Sequence, residues 1–424
     1  MSLWILIALI AILLALRVPV GFAFLGPSLA YMIIEGNSTG LALRVAADGV
    51  ASFPLLAVPL FILLGSIANR AGIADRIFDF ALAMLGRVKG NLAYVNIGTS
   101  VGFAWMSGSA LADAAALGKL QVPGMVRSGY SFRFAAGLTS ASSLIAPVMP
   151  PSIPAVIYAS VATVSTGALF AGSVLPAMLM ALGLVVTVYI LVRKNPNLTT
   201  IAFSWSVLGR ASVRVLGPIG APVIILGGIL GGFFTPTEAA AVGVAYMIVL
   251  GLAYRTLNLT AIIAALKETA AVTGAIALIL AAAALLGWIL ARERAPQAVA
   301  DGLTSLTDNP IVFLLLVNLI LILLGMAIDA TAVLLITVPV LLPVAVQYGI
   351  DPIHFGVVMI VNLMIGLLTP PVGSVLYVMS SVTNRPVDEV FRGVLPFLIP
   401  LLAVLGLLTF FPQIVTIVPT LLGL

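Results

Sequence analysis

Apolar runs of about 20 residues with few charges recur along the chain from Leu3 to Leu424. A helix of that length crosses the hydrocarbon core of a bilayer. Of the 424 residues, 62% are hydrophobic and 8% are charged, which is more apolar surface than a soluble core can absorb. The sequence therefore predicts an all-α polytopic membrane protein with a single membrane domain over 1–424. About 10 to 14 apolar segments are expected, and several are too short to cross alone.

Cys and His, which often serve as catalytic residues and metal ligands, are scarce in this sequence. Cys is absent, which excludes disulfides, Cys-based metal sites and a thiol nucleophile. The single His, His354, is expected in a surface loop and does not indicate His-based metal or triad chemistry. The net charge of +5 is spread over short loops, which argues against a nucleic-acid partner. No cofactor is expected.

One loop predicts the orientation of the chain in the membrane. Arg193, Lys194, Arg210 and Arg214 occur with no acidic residue between the first and the last. Loops rich in Lys and Arg face the cytoplasm, so this loop is assigned to the cytoplasmic side.

Two distant segments have similar sequences around a Pro-Pro pair, namely APVMPPSIPAVIYAS from Ala146 and GLLTPPVGSVLYVMS from Gly366. Their Pro-Pro pairs begin at Pro150 and Pro370, 220 positions apart (370 − 150). An internal repeat in a polytopic membrane protein is typical of secondary transporters. We interpret the chain as a duplication, with repeat 1 over about 50–195 and repeat 2 over about 265–424.

Two aspartates upstream of the Pro-Pro pairs suggest a second spacing between equivalent positions of the two halves. Asp113 and Asp329 are 216 positions apart (329 − 113), and a Val-Pro pair follows each at the same spacing. Matching these residues requires a four-residue insertion before the Pro-Pro pair of one half. On this interpretation, Asp113 and Asp329 are equivalent positions in the two repeats.

The Pro-Pro pairs predict broken helices. Proline has no N–H and clashes with the carbonyl one turn back, so two in a row interrupt a helix. Freed carbonyls then coordinate a cation, and the start of the next half-helix favours an anion. The alternative is an ordinary proline kink. The predicted segments are hairpins over 106–123 and 325–345 and broken helices over 135–170 and 355–382.

Charged and small residues lie near each predicted hairpin tip. A carboxylate inside a membrane segment is costly and usually faces a cavity, a partner or an ion, which applies to Asp329 and Asp113. The alternatives are a cap at the end of a short helix or a structural tie between hairpin arms. Ser107, Gly108 and Ser109 suit a tip, since Gly allows the turn and Ser supplies oxygens without bulk. Close helix packing by small residues explains them equally well.

Together the motifs resemble the large membrane subunit, of the DctM type, of tripartite ATP-independent periplasmic (TRAP) transporters. The resemblance rests on GSALADAAALG, APVMPPSIPAVIYAS, GGFFTPTEAAAVG, LLGMAIDATAVLL and GLLTPPVGSVLYVMS, and it covers nearly the whole chain. It implies a multi-pass protein of the bacterial inner membrane with two inverted repeats, each carrying a re-entrant hairpin and a broken helix. It also implies an elevator mechanism, in which a transport domain moves past a scaffold that includes 1–34 and 215–254.

The resemblance implies sodium-driven uptake of an organic anion, such as a C4-dicarboxylate or sialic acid. Sodium is the only metal ion implied. The sodium ligands would be Ser107, Gly108, Ser109, Pro150, Pro151 and Ser152 at the first break, and Gly325, Met326, Asp329, Thr369, Pro370 and Gly373 at the second. The substrate would lie between the breaks, near Ser109, Asp113, Ser152, Thr369 and Ser374.

The family resemblance also implies partners. These are the lipid bilayer, a separate small membrane subunit of four helices, and a periplasmic binding protein that delivers the substrate. One alternative is a sodium-coupled anion carrier that works without a binding protein. A more remote alternative is an intramembrane hydrolase that uses Ser107 or Ser109 with His354 as its base.

Overall fold

The computed structural model describes residues 3–193, 198, 200 and 202–424. Within these residues the chain forms twenty α-helices and no β-strand. The first ten are α1 (Leu3–Ala15), α2 (Val20–Ile34), α3 (Thr39–Val50), α4 (Ala57–Arg70), α5 (Ile73–Leu85), α6 (Asn91–Ser107), α7 (Ala110–Arg127), α8 (Phe132–Ser143), α9 (Ile153–Ala162) and α10 (Thr166–Val192). The next ten are α11 (Trp205–Leu230), α12 (Pro236–Ala253), α13 (Leu259–Arg292), α14 (Ala295–Leu306), α15 (Pro310–Gly325), α16 (Ala330–Gln347), α17 (Pro352–Gly366), α18 (Ser374–Thr383), α19 (Val387–Phe410) and α20 (Gln413–Leu421).

Six of the described helices are long and apolar enough to cross a bilayer, namely α10, α11, α12, α13, α16 and α19. The pair α3 and α4, bent by 58°, would make a seventh span. Six shorter apolar helices account for most other predicted segments, and three of these, α9, α17 and α18, are parts of broken helices. The prediction of an all-α polytopic membrane protein is confirmed.

The two halves keep one register from hairpin to broken helix. The second hairpin arms begin at Ala110 and Ala330, 220 positions apart (330 − 110). The glycines with positive φ that follow these arms, Gly129 and Gly349, keep the same offset (349 − 129), as do the Pro-Pro pairs. The predicted four-residue insertion is therefore wrong.

Asp113 and Asp329 are consequently not equivalent. The offset of 216 differs from 220 by four residues, which is about one helical turn. Residues shifted by one turn lie on nearly the same face of a helix, so the wrong offset resembles a true repeat. The pairs in the 220 register are Ser109 with Asp329, Asp113 with Val333, and Pro123 with Pro343. Asp113 therefore has no acidic counterpart in the second half.

Matching elements extend beyond the predicted repeat boundaries. The N-caps of α3 and α13, Ser38 and Asn258, are again 220 positions apart (258 − 38). Helix α2 packs against α13 as α12 packs against α4. The predicted scaffold segments 1–34 and 215–254 thus form a matched pair themselves, α1–α2 and α11–α12.

The predicted hairpins are shorter than those in the structure. The ranges 106–123 and 325–345 cover only a tip and most of a second arm. Each complete hairpin also includes the preceding helix, so the hairpins are α6–α7 and α15–α16. The first arms were missed because they read as independent apolar segments.

The broken helices are α8–α9 and α17–α18, close to the predicted ranges 135–170 and 355–382. The first one ends at Ala162 rather than at 170. Thr163 adopts a left-handed conformation with φ of 56°, and Ser165 caps the next helix through the Ala168 N–H. These two local signals end α9 and start α10 before the predicted boundary.

Candidate functional site

The first hairpin tip lies directly against the first Pro-Pro break. Gly108 has a φ of 58°, and a Cβ on it would lie 2.7 Å from the Pro151 carbonyl oxygen. Only glycine therefore lets the tip approach this closely. Ser109 follows as the N-cap of α7 and accepts a hydrogen bond from the Ala112 N–H at 3.4 Å. The structure thus brings Ser107–Ser109 together with Pro150–Ser152.

The first break is buried. Pro150 and Pro151 are buried, and Ser152 is fully inaccessible to solvent. The Ser152 hydroxyl donates to the Pro147 carbonyl and accepts from the Ala155 N–H at 3.1 Å, so it closes the break and caps α9. A buried irregular backbone is tolerated in a membrane protein only where such local partners or a ligand satisfy it.

Asp113 is the most unusual group at this site. Its side chain is fully buried in the first turn of α7. The Ser107 hydroxyl faces the carboxylate. Neither group forms a hydrogen bond of good geometry with any described residue. Burying a carboxylate without a partner is costly, so this position calls for a cation or another ligand.

The second hairpin tip lies against the second break in the same way. The Val372 N–H donates to the Met326 carbonyl at 2.9 Å. A Cβ on Gly366 would lie 2.7 Å from the Gly325 carbonyl carbon, so the backbones touch. The Thr369 hydroxyl donates to a carbonyl one turn back, that of Ile365, at 3.0 Å.

The second site is more open than the first. Asp329 is exposed, and its Oδ1 accepts from the Thr331 N–H at 2.9 Å as the N-cap of α16. It therefore occupies the helix-cap position, which sequence analysis had left as the alternative. Pro370 and Ser374 are half-buried, while Gly373, with a φ of 52°, is buried just before α18. Asp329 is not among the residues that join the tip to the break.

Four helices begin at these two sites. Helices α7 and α9 begin at the first, and α16 and α18 begin at the second. Helix starts carry partial positive charge and free N–H groups, which favour an anion. The repeats also interlock, since α7 packs against α18 and α16 packs against α9.

Two buried polar networks were not predicted from the sequence. Each joins the first arm of a hairpin to the first half of a broken helix, α6 to α8 and α15 to α17, and so holds a tip beside its break. The first network consists of Asn96, Ser100, Thr139 and Ser142, with hydrogen bonds of 2.7–2.9 Å. The second consists of Asn318, Asn362 and Thr409, at 2.8–2.9 Å. Polar residues within otherwise apolar helices were the available signal.

The prediction that His354 lies in a surface loop is wrong. Asp351 caps α17 through the His354 N–H at 2.9 Å, and Pro352 begins the helix. His354 therefore lies inside a helix, where it is buried and its Nε2 is hydrogen-bonded to the Leu408 carbonyl at 2.7 Å. The Asp-Pro pair was a helix-start signal that the loop interpretation overlooked.

The predicted cytoplasmic loop is only partly described. Lys194 lies outside the described residues. Arg193 directly follows α10, and its carbonyl accepts from the Lys89 ammonium at 3.1 Å. Lys89 and Arg193 therefore lie at the same end of the protein.

Comparison with known families agrees with this architecture. The family described as "Tripartite ATP-independent periplasmic transporter, DctM component" matches residues 7–414. The chain belongs to this family. As a DctM component, it is a multi-pass inner-membrane subunit of a tripartite transporter and not an enzyme.

Curated relatives of this DctM component cover most of its length. The sialic acid TRAP transporter large permease protein SiaM of Vibrio cholerae is 46% identical over 95% of each chain. The C4-dicarboxylate large permease DctM of Pseudomonas aeruginosa is 39% identical over 88% of this chain and 87% of the relative. The 2,3-diketo-L-gulonate large permease YiaN of Escherichia coli is 34% identical over 95% of each.

A solved structure shares the fold. The YdaH transporter of Alcanivorax borkumensis superimposes with a TM-score of 0.61, covering 87% of each chain. Its sequence identity of 16% limits the similarity to the fold itself.

Proposed function

We propose that this DctM component takes up an organic acid by sodium-coupled symport. The observation that carries the proposal is that each Pro-Pro break lies against a hairpin tip where two helices begin. Helix starts suit an anion, and the oxygens of tip and break suit a small cation. Relatives named for sialic acid and C4-dicarboxylates support a carboxylic acid as the substrate class.

The first sodium site would use hard oxygen ligands. The proposed ligands are Ser107, Gly108, Ser109, Pro150, Pro151 and Ser152, through hydroxyls or carbonyls. We assign the buried Asp113 carboxylate to the cation rather than to the substrate. Two negative charges in contact in a low-dielectric interior repel strongly, whereas a sodium ion would neutralise the unpaired carboxylate.

The second sodium site would be formed by Gly325, Met326, Asp329, Thr369, Pro370 and Gly373. The exposed cap position of Asp329 suits an entrance to this site. The substrate carboxylate would contact helix starts and the hydroxyls of Ser109, Ser152, Thr369 and Ser374. Bound sodium would offset its charge.

An elevator movement fits the division of the fold. The hairpins and broken helices would form the transport domain, and α1–α2 with α11–α12 would belong to the scaffold. The proposed partners are a separate small membrane subunit of four helices and a periplasmic binding protein. The family description, a component of a tripartite periplasmic transporter, supports both partners.

Uptake of labelled sialic acid and C4-dicarboxylates into proteoliposomes tests this proposal. The vesicles contain the chain and its small subunit, with the binding protein and a sodium gradient each present or absent. We expect uptake only when both are present. Uptake with sodium alone would identify an autonomous carrier, and uptake without a sodium gradient would reject sodium coupling.

Variants at the second site test the ligand assignment. Asp329→Ala and Thr369→Ala are each expected to reduce uptake and to weaken its sodium dependence while the protein still inserts. His354→Ala distinguishes the hydrolase alternative, since its transport is expected to persist if the protein remains folded. Normal sodium-dependent uptake by both site variants would contradict the assignment.

A further inference from the structure

A basic cavity of about 390 Å³ lies between the end of α5 and the start of α11. Its charged lining consists of Arg87, Arg210 and Arg214 against a single acidic residue, Asp79. The aromatic ring of Phe203 forms part of the wall. The cavity therefore carries an excess of two positive charges, and the transport mechanism proposed above does not use it.

The three arginines have donors to spare. The Arg87 guanidinium lies over the Phe203 ring at 5.3 Å. The Arg210 Nε donates to the Ser206 carbonyl at 3.3 Å. Across the described parts of the chain, none of Arg87, Arg210 and Arg214 forms an ion pair. Guanidinium groups bind phosphate through paired hydrogen bonds, so three of them around one cavity suit a phosphate group.

The cavity lies at the cytoplasmic end of the protein. Lys89, two residues after Arg87, donates to the carbonyl of Arg193 at the end of α10. Arg193 begins the basic loop that lacks acidic residues as far as Arg214. The positive-inside rule places this end in the cytoplasm, where the membrane leaflet carries anionic lipids.

Helix α11 carries an exposed apolar face that is turned away from the cavity and towards the membrane. Trp205 begins α11 and is 78% exposed, the position of an interfacial aromatic anchor. Along the same helix Val213, Leu216 and Val223 are also exposed, at spacings of three and seven residues that align them on one face. Helix α11 is itself long and apolar enough to span the bilayer.

We propose that this cavity binds the phosphate of an anionic glycerophospholipid from the cytoplasmic leaflet. The arginines hold the phosphate at headgroup depth. A lipid is favoured over a soluble anion because the cavity lies at headgroup depth, at the start of a helix that can span the bilayer and that begins at the exposed Trp205. The bound lipid joins α5 to α11, which already pack together.

Native mass spectrometry of the full-length chain in detergent tests the proposal. The delipidated protein is titrated with dioleoyl phosphatidylglycerol, dioleoyl phosphatidylcholine or glycerol 3-phosphate. We expect phosphatidylglycerol to bind at least tenfold more tightly than phosphatidylcholine. The double variant Arg210→Gln/Arg214→Gln is expected to weaken phosphatidylglycerol binding by about 30-fold, or about fivefold per arginine.

Two further variants make the test specific. Asp79→Asn removes the one negative charge of the lining, so we expect it to bind phosphatidylglycerol severalfold more tightly than the wild type. Arg127→Gln is the matched control, because Arg127 is exposed near the same end of the protein but outside the cavity. Its binding is expected to stay within twofold of the wild type.

Several results would overturn the proposal. These are equal binding of the two lipids, unchanged binding by the arginine double variant, and equally tight binding of glycerol 3-phosphate. The last would identify a site for a soluble anion.

Discussion

Gly366 ends α17 directly beneath the second hairpin tip, and Gly366→Ala tests whether the contact between tip and break sets sodium affinity. A Cβ at this position would lie 2.7 Å from the Gly325 carbonyl carbon and 3.0 Å from its oxygen. Carbon atoms pack best at about 3.5–4.0 Å, so the tip and the break would have to separate by about 1 Å.

The size of the effect follows from two opposing terms. Overpacking a well-packed site costs about 1–3 kcal/mol. Alanine is a better helix former than glycine by up to about 1 kcal/mol, which offsets part of that cost because Gly366 is helical. If the substitution destabilises the sodium-bound state by a net amount of about 1–2 kcal/mol, the half-saturating sodium concentration rises by about 5- to 30-fold.

The assay is uptake as a function of sodium concentration in proteoliposomes that contain the complete transporter. Gly124→Ala is the matched control, because Gly124 lies within α7 and a Cβ there has no neighbour within 4 Å among the described residues. The control is expected to keep the sodium dependence of the wild type. The same dependence in Gly366→Ala, at unchanged thermal stability, would refute the link between backbone contact and ion affinity.

Three further predictions concern polar and charged groups. Asp113→Asn removes an unpaired buried charge, so in the absence of sodium the variant should unfold at a higher temperature than the wild type. Added sodium should stabilise the variant less than it stabilises the wild type, and the reverse pattern would contradict the cation assignment. Asn318→Ala removes hydrogen bonds to Thr409 and Asn362 and should lower the free energy of unfolding by about 1–2 kcal/mol in thermal or denaturant unfolding. Burial and the nearby Asp75 carboxylate raise the pKa of Asp79, so its charge destabilises the fold above that pKa. Asp79→Asn should therefore raise the unfolding temperature at pH 7, and the difference from the wild type should vanish below about pH 4, whereas a pH-independent difference would reject this cause.

Local constraints made much of the site predictable. Proline lacks an N–H wherever it stands, so the pairs at Pro150 and Pro370 predicted both breaks without knowledge of any neighbour. Gly108 between two serines suited a tip as well as it suited close helix packing, and its positive φ in the structure agrees with the tip. Hydropathy alone predicted the all-α membrane fold, since runs of apolar residues must satisfy their backbone internally.

Register was harder to predict because residue identity is a weak guide to equivalence. Two aspartates and two Val-Pro pairs agreed on an offset of 216, yet the helix caps and turn glycines keep 220. A shift of about one turn preserves the helix face, so the residue pattern alone did not reveal the error. Positions at which helices begin and end distinguish the two offsets.

The sequence by itself determined the membrane fold and the places where helices break, because each depends on the chemistry of neighbouring residues. Only the tertiary structure decided which carboxylate is buried. Asp329 stands in the more apolar run but lies exposed at the start of α16, whereas Asp113 lies among polar neighbours and is fully enclosed. The enclosure of α7 comes partly from α18, more than two hundred residues away in the chain. Burial depends on such distant packing partners, which local sequence does not specify.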